Sequence, residues 1–325
     1  MTIHIQQYCT LEFNKIMNKD SKIYVAGHTG LVGSAIVRQL KQFGYHNLLL
    51  RTREELNLLW RDDVDTFFQE CEPEYVFLCA AKVGGVLSNS LQQADFLWEN
   101  QAISSNIIIA SRAFGVKRLL NLGSVCIYPR ETPQPIKEEY LLTNTLEPTN
   151  EGYAIAKIAA LKLCQKFNEQ YNTDFMSVMP CNLYGIGDRS THVIPDLVRK
   201  FHTAKIHRHK QVILYGTGQA KREFLYADDF AEVCVRIMTC GSVTQYTGGI
   251  LNIGSGAAIP ISALADIIKE IVEYTGEISY DSSKPDGAPI RLLDCTRLQQ
   301  VVDWKPKVKL EDGIRQYYEW FKNER

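Results

Sequence analysis

The chain has 325 residues in which 36 Lys and Arg nearly cancel 37 Asp and Glu, so a net charge of −1 gives no basic field for nucleic acid or an anionic membrane surface. A hydrophobic content of 45% with 22% charged residues is that of a globular chain, and the length predicts two domains or one large domain with an appended one. No apolar run reaches the ~18–20 residues of a membrane span, the first residues lack the apolar segment of a secretory signal, and nine scattered cysteines without metal-ligand spacing read as reduced thiols of a cytoplasmic protein with no metal site.

Residues 1–21 precede the first recognisable element and read as an N-terminal extension, with Met17 as an alternative start. Lys22 to Ala26 predicts a short buried strand, followed by Gly27, His28, Thr29, Gly30, Leu31, Val32 and Gly33 and then the helical SAIVRQLKQF. Strand, glycine-rich turn and helix in that order give the fingerprint its meaning. Gly27 allows the tight turn, Gly30 lets a pyrophosphate approach the backbone, Gly33 lets helix and strand pack closely, and the helix N-terminus attracts the anion.

A second strand is predicted at Asn47 to Arg51. Arg51 and Arg53 stand where an NAD site places an acidic residue for the ribose hydroxyl; a guanidinium suits a 2′-phosphate, which favours NADPH, the alternative being two solvated loop charges. Glu74 to Ala81 predicts a strand running into small residues, Ala94 to Phe114 a long helix, and Lys117 to Leu122 another strand. This alternation from residue 22 to about 180 predicts an α/β fold with a doubly wound parallel sheet.

The stretch from Leu122 to Lys157 carries a hydroxyl, a thiol, a phenol and an ammonium: Ser124, Cys126, Tyr153 and Lys157. Tyr153 and Lys157 are spaced i, i+4, which puts the cation one helical turn from the phenol, where it favours the phenolate and makes a usable general acid or base. Ser124 falls just past a strand end, where open parallel sheets bind ligands, and strand alternation puts Cys126 on the same face. The plainer reading is that YxxxK is a frequent accident, Ser124 closes a turn and Cys126 is a small core residue; the glycine turn upstream weighs against it. The helix continues through ALKLCQKFNEQY with apolar residues on more than one face, which predicts burial on the sheet and against a second copy, a homodimer.

After a strand at Met176 to Met179 the chain turns at Pro180, Cys181, Asn182 and Leu183 and becomes less regular, with His192 before a basic helix and a solvated cluster at His207 to Lys210. The expected organisation is a nucleotide-binding domain in residues 22–182 and 222–254 and a smaller C-terminal α/β substrate domain in 183–221 and 255–325.

With the glycine turn, Ser124 and YxxxK together, the chain resembles the extended short-chain dehydrogenase/reductase superfamily of nucleotide-sugar enzymes, and within it the GDP-L-fucose synthase family. The matching stretches run from residue 22 to 322 and include GHTGLVGSAI, LRTREELNLL, AAKVGG, LGSVCIYP, LEPTNEGYAIAK, NLYG, HVIPDLVRKFH, REFLYADD and SKPDG. The resemblance implies a Rossmann fold and an NADPH-dependent 3,5-epimerase/4-reductase acting on GDP-4-keto-6-deoxy-D-mannose. It implies Ser124, Tyr153 and Lys157 as the reductase triad and Cys126 with His192 as the epimerising acid/base pair. NADP(H) would contact Gly27 to Gly33, Arg53, Leu122, Gly123, Lys157, Pro180 to Leu183 and His192, while Lys200, Tyr215, Arg222 and Asp286 would lie along the GDP-sugar. The chain departs from the family in a segment 186–191 shorter than the family's loop before the histidine, in Thr191 where the family has serine, and in Val125 between Ser124 and Cys126 where the family has serine. These departures keep open a C4-reductase of another GDP-4-keto sugar such as a heptose, with or without epimerisation. From a different class, a non-catalytic NADPH-binding redox scaffold would be expected to lose part of the triad, and all three residues are present. A 4,6-dehydratase would need acidic residues after Ser124, where Val125 and Cys126 stand.

Overall fold

A computed structural model of the chain describes residues 17–241, 244–284 and 287–324. Five short apolar segments form parallel strands: β1 (Ile23–Ala26), β2 (Leu48–Leu49), β3 (Tyr75–Leu78), β4 (Arg118–Leu122) and β5 (Phe175–Pro180). Three further strands, β6 (Asn182–Tyr184), β7 (Gln211–Tyr215) and β8 (Lys221–Tyr226), leave this sheet before β9 (Ile250–Ile253) returns to it. The resulting order is β2-β1-β3-β4-β5-β9, with every pairing parallel. Succession reverses at β1, with β2 on one side and β3 on the other, and that switch opens a crevice at the strands' C-terminal ends.

Both faces of the sheet are covered, which explains why its strands are mostly apolar rather than alternating. Val25, Phe77, Leu120 and Val178 point into one core with Ile36 of α1 (Leu31–Gln42). Tyr24, Val76, Leu78 and Leu119 point into the other with Phe68 of α2 (Arg61–Cys71) and Ile107 of α3 (Gln93–Ala113). Helix α3 packs along α4 (Glu151–Tyr171), which stops where Asn172 takes the left-handed conformation. Met17 is buried in the first core and its carbonyl accepts from the Tyr45 hydroxyl at 3.2 Å, so the end of the extension is anchored at Met17 while residues 18–20 are exposed; residues 1–16 lie outside the described residues.

The remaining elements build a second core. Ile194, Leu197, Val198 and Phe201 recur at helical spacing along α5 (Val193–Ile206). They pack with Leu264 and Ile268 of a later helix (Ile261–Val272) and with Ile314, Tyr317 and Phe321 of the last one (Leu310–Asn323). Helix α6 (Ala227–Thr239) returns to the main sheet between them, so the two later helices are α7 and α8. Strand β8 lies between β10 (Ala258–Pro260) and β12 (Ile290–Arg291) and also pairs β6, while β11 (Glu277–Asp281) pairs β7.

Two buried charges tie segments far apart in the chain. Arg118 at the start of β4 donates through Nε to Asp174 at 2.7 Å and through Nη1 to the carbonyls of Met238 and Cys240 at 3.1 and 2.6 Å, closing the end of α6 onto the sheet. Glu223 of β8 accepts from the Gly256 amide at 2.7 Å and the Leu293 amide at 3.0 Å, which joins the loop after β9 to the segment leaving β12.

Candidate active site

The crevice is a cavity of about 750 Å³, open to solvent, at the ends of β1, β3 and β4. Its floor is the glycine turn. Gly27 has φ +80°, and a Cβ there would lie 2.7 Å from the Ala80 amide nitrogen; a Cβ on Gly33 would lie 2.1 Å from the Gly27 carbonyl oxygen. Only glycine allows this approach. Thr29, Gly30, Leu31 and Val32 complete the floor, and the first turn of α1 carries no acidic side chain, so its free amides face the cavity without competition.

Arg51 and Arg53 both stand on the cavity wall. The Arg51 guanidinium is held by the Leu50 carbonyl at 2.9 Å and lies 5.6 Å from the Phe67 ring, whereas Arg53 is exposed. Ala80, Ala81 and Gly84 keep the opposite wall low. An anion-binding helix start, a close-packed glycine turn and two guanidinium groups fit an adenine dinucleotide bearing a 2′-phosphate. His28 is not on this wall; its Nδ1 is buried without a hydrogen-bond partner.

Ser124, Cys126 and Tyr153 line the same cavity, with Leu122 and Gly123 beside them. Strand alternation is not what joins the first two. The strand ends at Leu122, the Ser124 hydroxyl accepts from the Cys126 amide at 3.2 Å, and Val125–Ile127 turns as a 3₁₀ helix. Lys157 Nζ lies 5.8 Å from the Tyr153 ring and donates to the Leu122 carbonyl at 2.8 Å. The phenol is not lowered as the i, i+4 spacing predicts. Burial pushes it well above the ordinary tyrosine value, Cys126 pushes it further, and a hydrogen bond with Ser124 pulls the other way. Burial likewise lowers Lys157 to about 8, and Cys79 opposes that shift. Desolvation is the largest effect at both groups.

Pro180, Cys181, Asn182, Leu183 and His192 line the cavity as well, so β5's exit and the start of α5 face Ser124 and Tyr153. His192 is the N-cap residue of α5 and its side chain is exposed. Lys200, Tyr215 and Arg222 lie off this wall. Lys200 pairs with Asp196 at 2.8 Å and its Nζ sits 5.3 Å from the Tyr215 ring, so those two are together; Arg222 donates to the Ala288 carbonyl at 2.7 Å. Asp286 lies outside the described residues. Asn150 and Asp188, which no sequence motif marks, also line the cavity, and each carries a buried oxygen without a hydrogen-bond partner. A polar side chain directly after the Gly185 to Gly187 turn was the available signal for Asp188.

The model of the NAD dependent epimerase/dehydratase family matches residues 23–254. The chain belongs to this family. Within the epimerase/dehydratase family it is 47% identical to GDP-L-fucose synthase 1 of Arabidopsis thaliana over 95% of this chain and 96% of that protein. It is also 47% identical to GDP-L-fucose synthase of Escherichia coli (strain K12), over 92% of this chain and 96% of that one. Among solved structures, a GDP-mannoheptose C4 reductase from Campylobacter jejuni with NADP bound superposes with a TM-score of 0.87 at 39% identity, covering 94% of this chain and 99% of that one. No helix among the described residues is long and apolar enough to cross a membrane.

Proposed function

We propose that the chain is an NADPH-dependent 3,5-epimerase/4-reductase that converts GDP-4-keto-6-deoxy-D-mannose to GDP-L-fucose. The observation that carries this reading is one cavity lined by both sets of groups: Ser124 and Tyr153 for reduction, Cys126 and His192 for epimerisation. The family relatives named GDP-L-fucose synthase support the substrate, and the NADP-bound neighbour supports the cofactor. In this reading residues 22–182 and 222–254 hold the dinucleotide and residues 183–221 and 255–325 hold the nucleotide sugar, with Lys200, Tyr215, Arg222 and Asp286 along the GDP.

A 4-keto group acidifies the hydrogens on C3 and C5 of the sugar. A thiol and an imidazole, both titrating near neutrality, can remove a proton from one face and return one to the other. Cys126 and His192 take these parts, and each inversion passes through an enolate whose oxygen accepts hydrogen bonds from Ser124 and Tyr153. Because burial keeps the phenol protonated, Tyr153 serves as donor throughout and then protonates the C4 oxygen. A hydride for C4 comes from the dihydronicotinamide when NADPH is bound. Lys157 is fixed to the Leu122 carbonyl with its ammonium 5.8 Å from the Tyr153 ring, and would hold the nicotinamide ribose of a bound cofactor.

The test is incubation with GDP-4-keto-6-deoxy-D-mannose and NADPH in D₂O. NADPH loss with two carbon-bound deuteriums in the product supports both activities; NADPH loss without deuterium leaves a plain C4 reductase. Tyr153→Phe is expected to slow NADPH oxidation by at least ~10²-fold, whereas Cys126→Ser is expected to block deuterium incorporation, and undiminished L-fucose product from that variant would refute the role of Cys126. The second reading, reduction of a GDP-4-keto heptose, is favoured by the short segment 186–191 and the likeness to the heptose C4 reductase. Turnover of a heptose substrate in preference to the hexose would select it. The working form is proposed to be a cytoplasmic homodimer, supported by the exposed apolar residues Trp98 of α3 and Ile155 of α4 on two helices that pack together.

A further inference from the structure

The short connection from Gly185 to His192 is held by a chain of hydrogen bonds that begins at Asp188. The Asp188 amide donates to the Gly185 carbonyl at 3.1 Å, and its carbonyl accepts from the Tyr317 hydroxyl at 3.0 Å. Its Oδ1 accepts from the Ser190 amide at 3.0 Å. The Ser190 hydroxyl in turn accepts from the His192 amide at 3.2 Å, and the Ser190 carbonyl from Arg199 at 3.0 Å. Asp188 is only 2% exposed, lines the cavity together with His192, and its second carboxylate oxygen, Oδ2, is buried with no hydrogen-bond partner. A buried carboxylate oxygen left without a donor is costly, so a native site supplies one in some state of its working cycle.

We propose that Asp188 is a positioning residue for His192, and that its Oδ2 accepts a hydrogen bond from one imidazole N–H while the other ring nitrogen exchanges a proton with the sugar. This rests on the reading of His192 as an epimerising acid/base. A carboxylate behind an imidazole fixes its tautomer and orientation and stabilises the charged ring, as in other histidine sites. The titratable groups around the pair include Tyr317 of α8, Arg189 paired with Glu324, and Arg199 and Asp196 of α5 on the protein side, and Cys126, Tyr153, Cys181, Cys79, Lys82, Glu99, Arg51 and Arg53 on the other cavity walls. The six residues 186–191 thus leave His192 tied to a buried carboxylate rather than carried by a long loop.

Two variants separate positioning from simple loop support. In Asp188→Asn the amide oxygen can still accept from the Ser190 N–H, but the group in place of Oδ2 is a donor. In Asp188→Ala both interactions go. The proposal expects Asp188→Asn to lose ~10–100-fold in the rate of deuterium incorporation into the sugar, with the pH profile of exchange moved to lower pH. If Asp188 were only a loop clamp, Asp188→Asn would stay within about twofold of wild type with an unmoved profile while Asp188→Ala alone failed, and that result overturns the proposal. The His192 ring is also titrated by NMR with NADP⁺ and GDP present, its signal assigned by its loss in His192→Asn. A lower imidazole titration in Asp188→Asn supports the proposal, and an unchanged one overturns it. Wild-type protein that incorporates no deuterium would sink the epimerase reading, yet the ring titration still decides on Asp188.

Discussion

Lys157 shows how a single side chain can be kept against its own stability. The residue is 5% exposed, its ammonium donates to the Leu122 carbonyl at 2.8 Å, and burial lowers it to about 8. The sign follows from proton binding. Below about 8 the folded and unfolded chains both hold the proton and the fold carries the full penalty; between 8 and the ordinary lysine value the unfolded chain alone holds it, so stability rises with pH across that window. The shift corresponds to about 3 kcal/mol. Lys157→Met, similar in length and apolar, is therefore expected to melt higher than wild type at pH 7, to lose that advantage as pH approaches 10, and to have almost no reductase activity. A lower melting temperature for the variant at pH 7 would count against a buried charge penalty at this position.

At the scale of elements, Arg118 joins the start of β4 and Asp174 before β5 to the end of α6 through one guanidinium. Arg118→Met removes the donors from a carboxylate and from buried carbonyls, so a loss of ~3–5 kcal/mol is expected in urea unfolding; a loss below 1 kcal/mol would mean that this closure is replaceable. What the sequence made legible here depended on how locally each element is determined. β1, β3 and α3 were readable because a doubly covered sheet demands apolar runs and the glycine turn demands glycine. The edge strand β2 is only Leu48–Leu49, shorter than the predicted Asn47 to Arg51, since it has β1 alone to pair with. Ser124 and Cys126 share the cavity, but not through strand alternation. Alternation holds only while the backbone stays extended, and the serine hydroxyl bends it by capping the Cys126 amide. The i, i+4 pairing of Tyr153 with Lys157 was visible, but the burial that dominates both groups is tertiary. Asp188 is marked in the sequence only by its place after the glycine turn, because its partner Tyr317 lies 129 residues away.

For the whole molecule, the crevice is closed on one side by the parallel sheet and on the other by the start of α5, so its walls come from two cores that Glu223 helps to join. The outer surface of α3 and α4 offers Trp98 and Ile155 to solvent, and Ile155 is two residues from Tyr153 on the same helix. Trp98→Glu is expected to give a monomer by light scattering if that surface joins two copies; an unchanged mass from a dimeric wild type would move the contact elsewhere. The depressed basicity of Lys157 carries a further thermodynamic signature. A ligand that gives the ammonium polar partners returns it toward its ordinary basicity, so above pH 8 nucleotide binding draws a proton from the buffer and affinity weakens as the solution becomes more alkaline. Calorimetric heats of NADP⁺ binding should then differ between buffers of high and low ionisation enthalpy, and equal heats would mean that the ammonium keeps its proton affinity when the crevice fills.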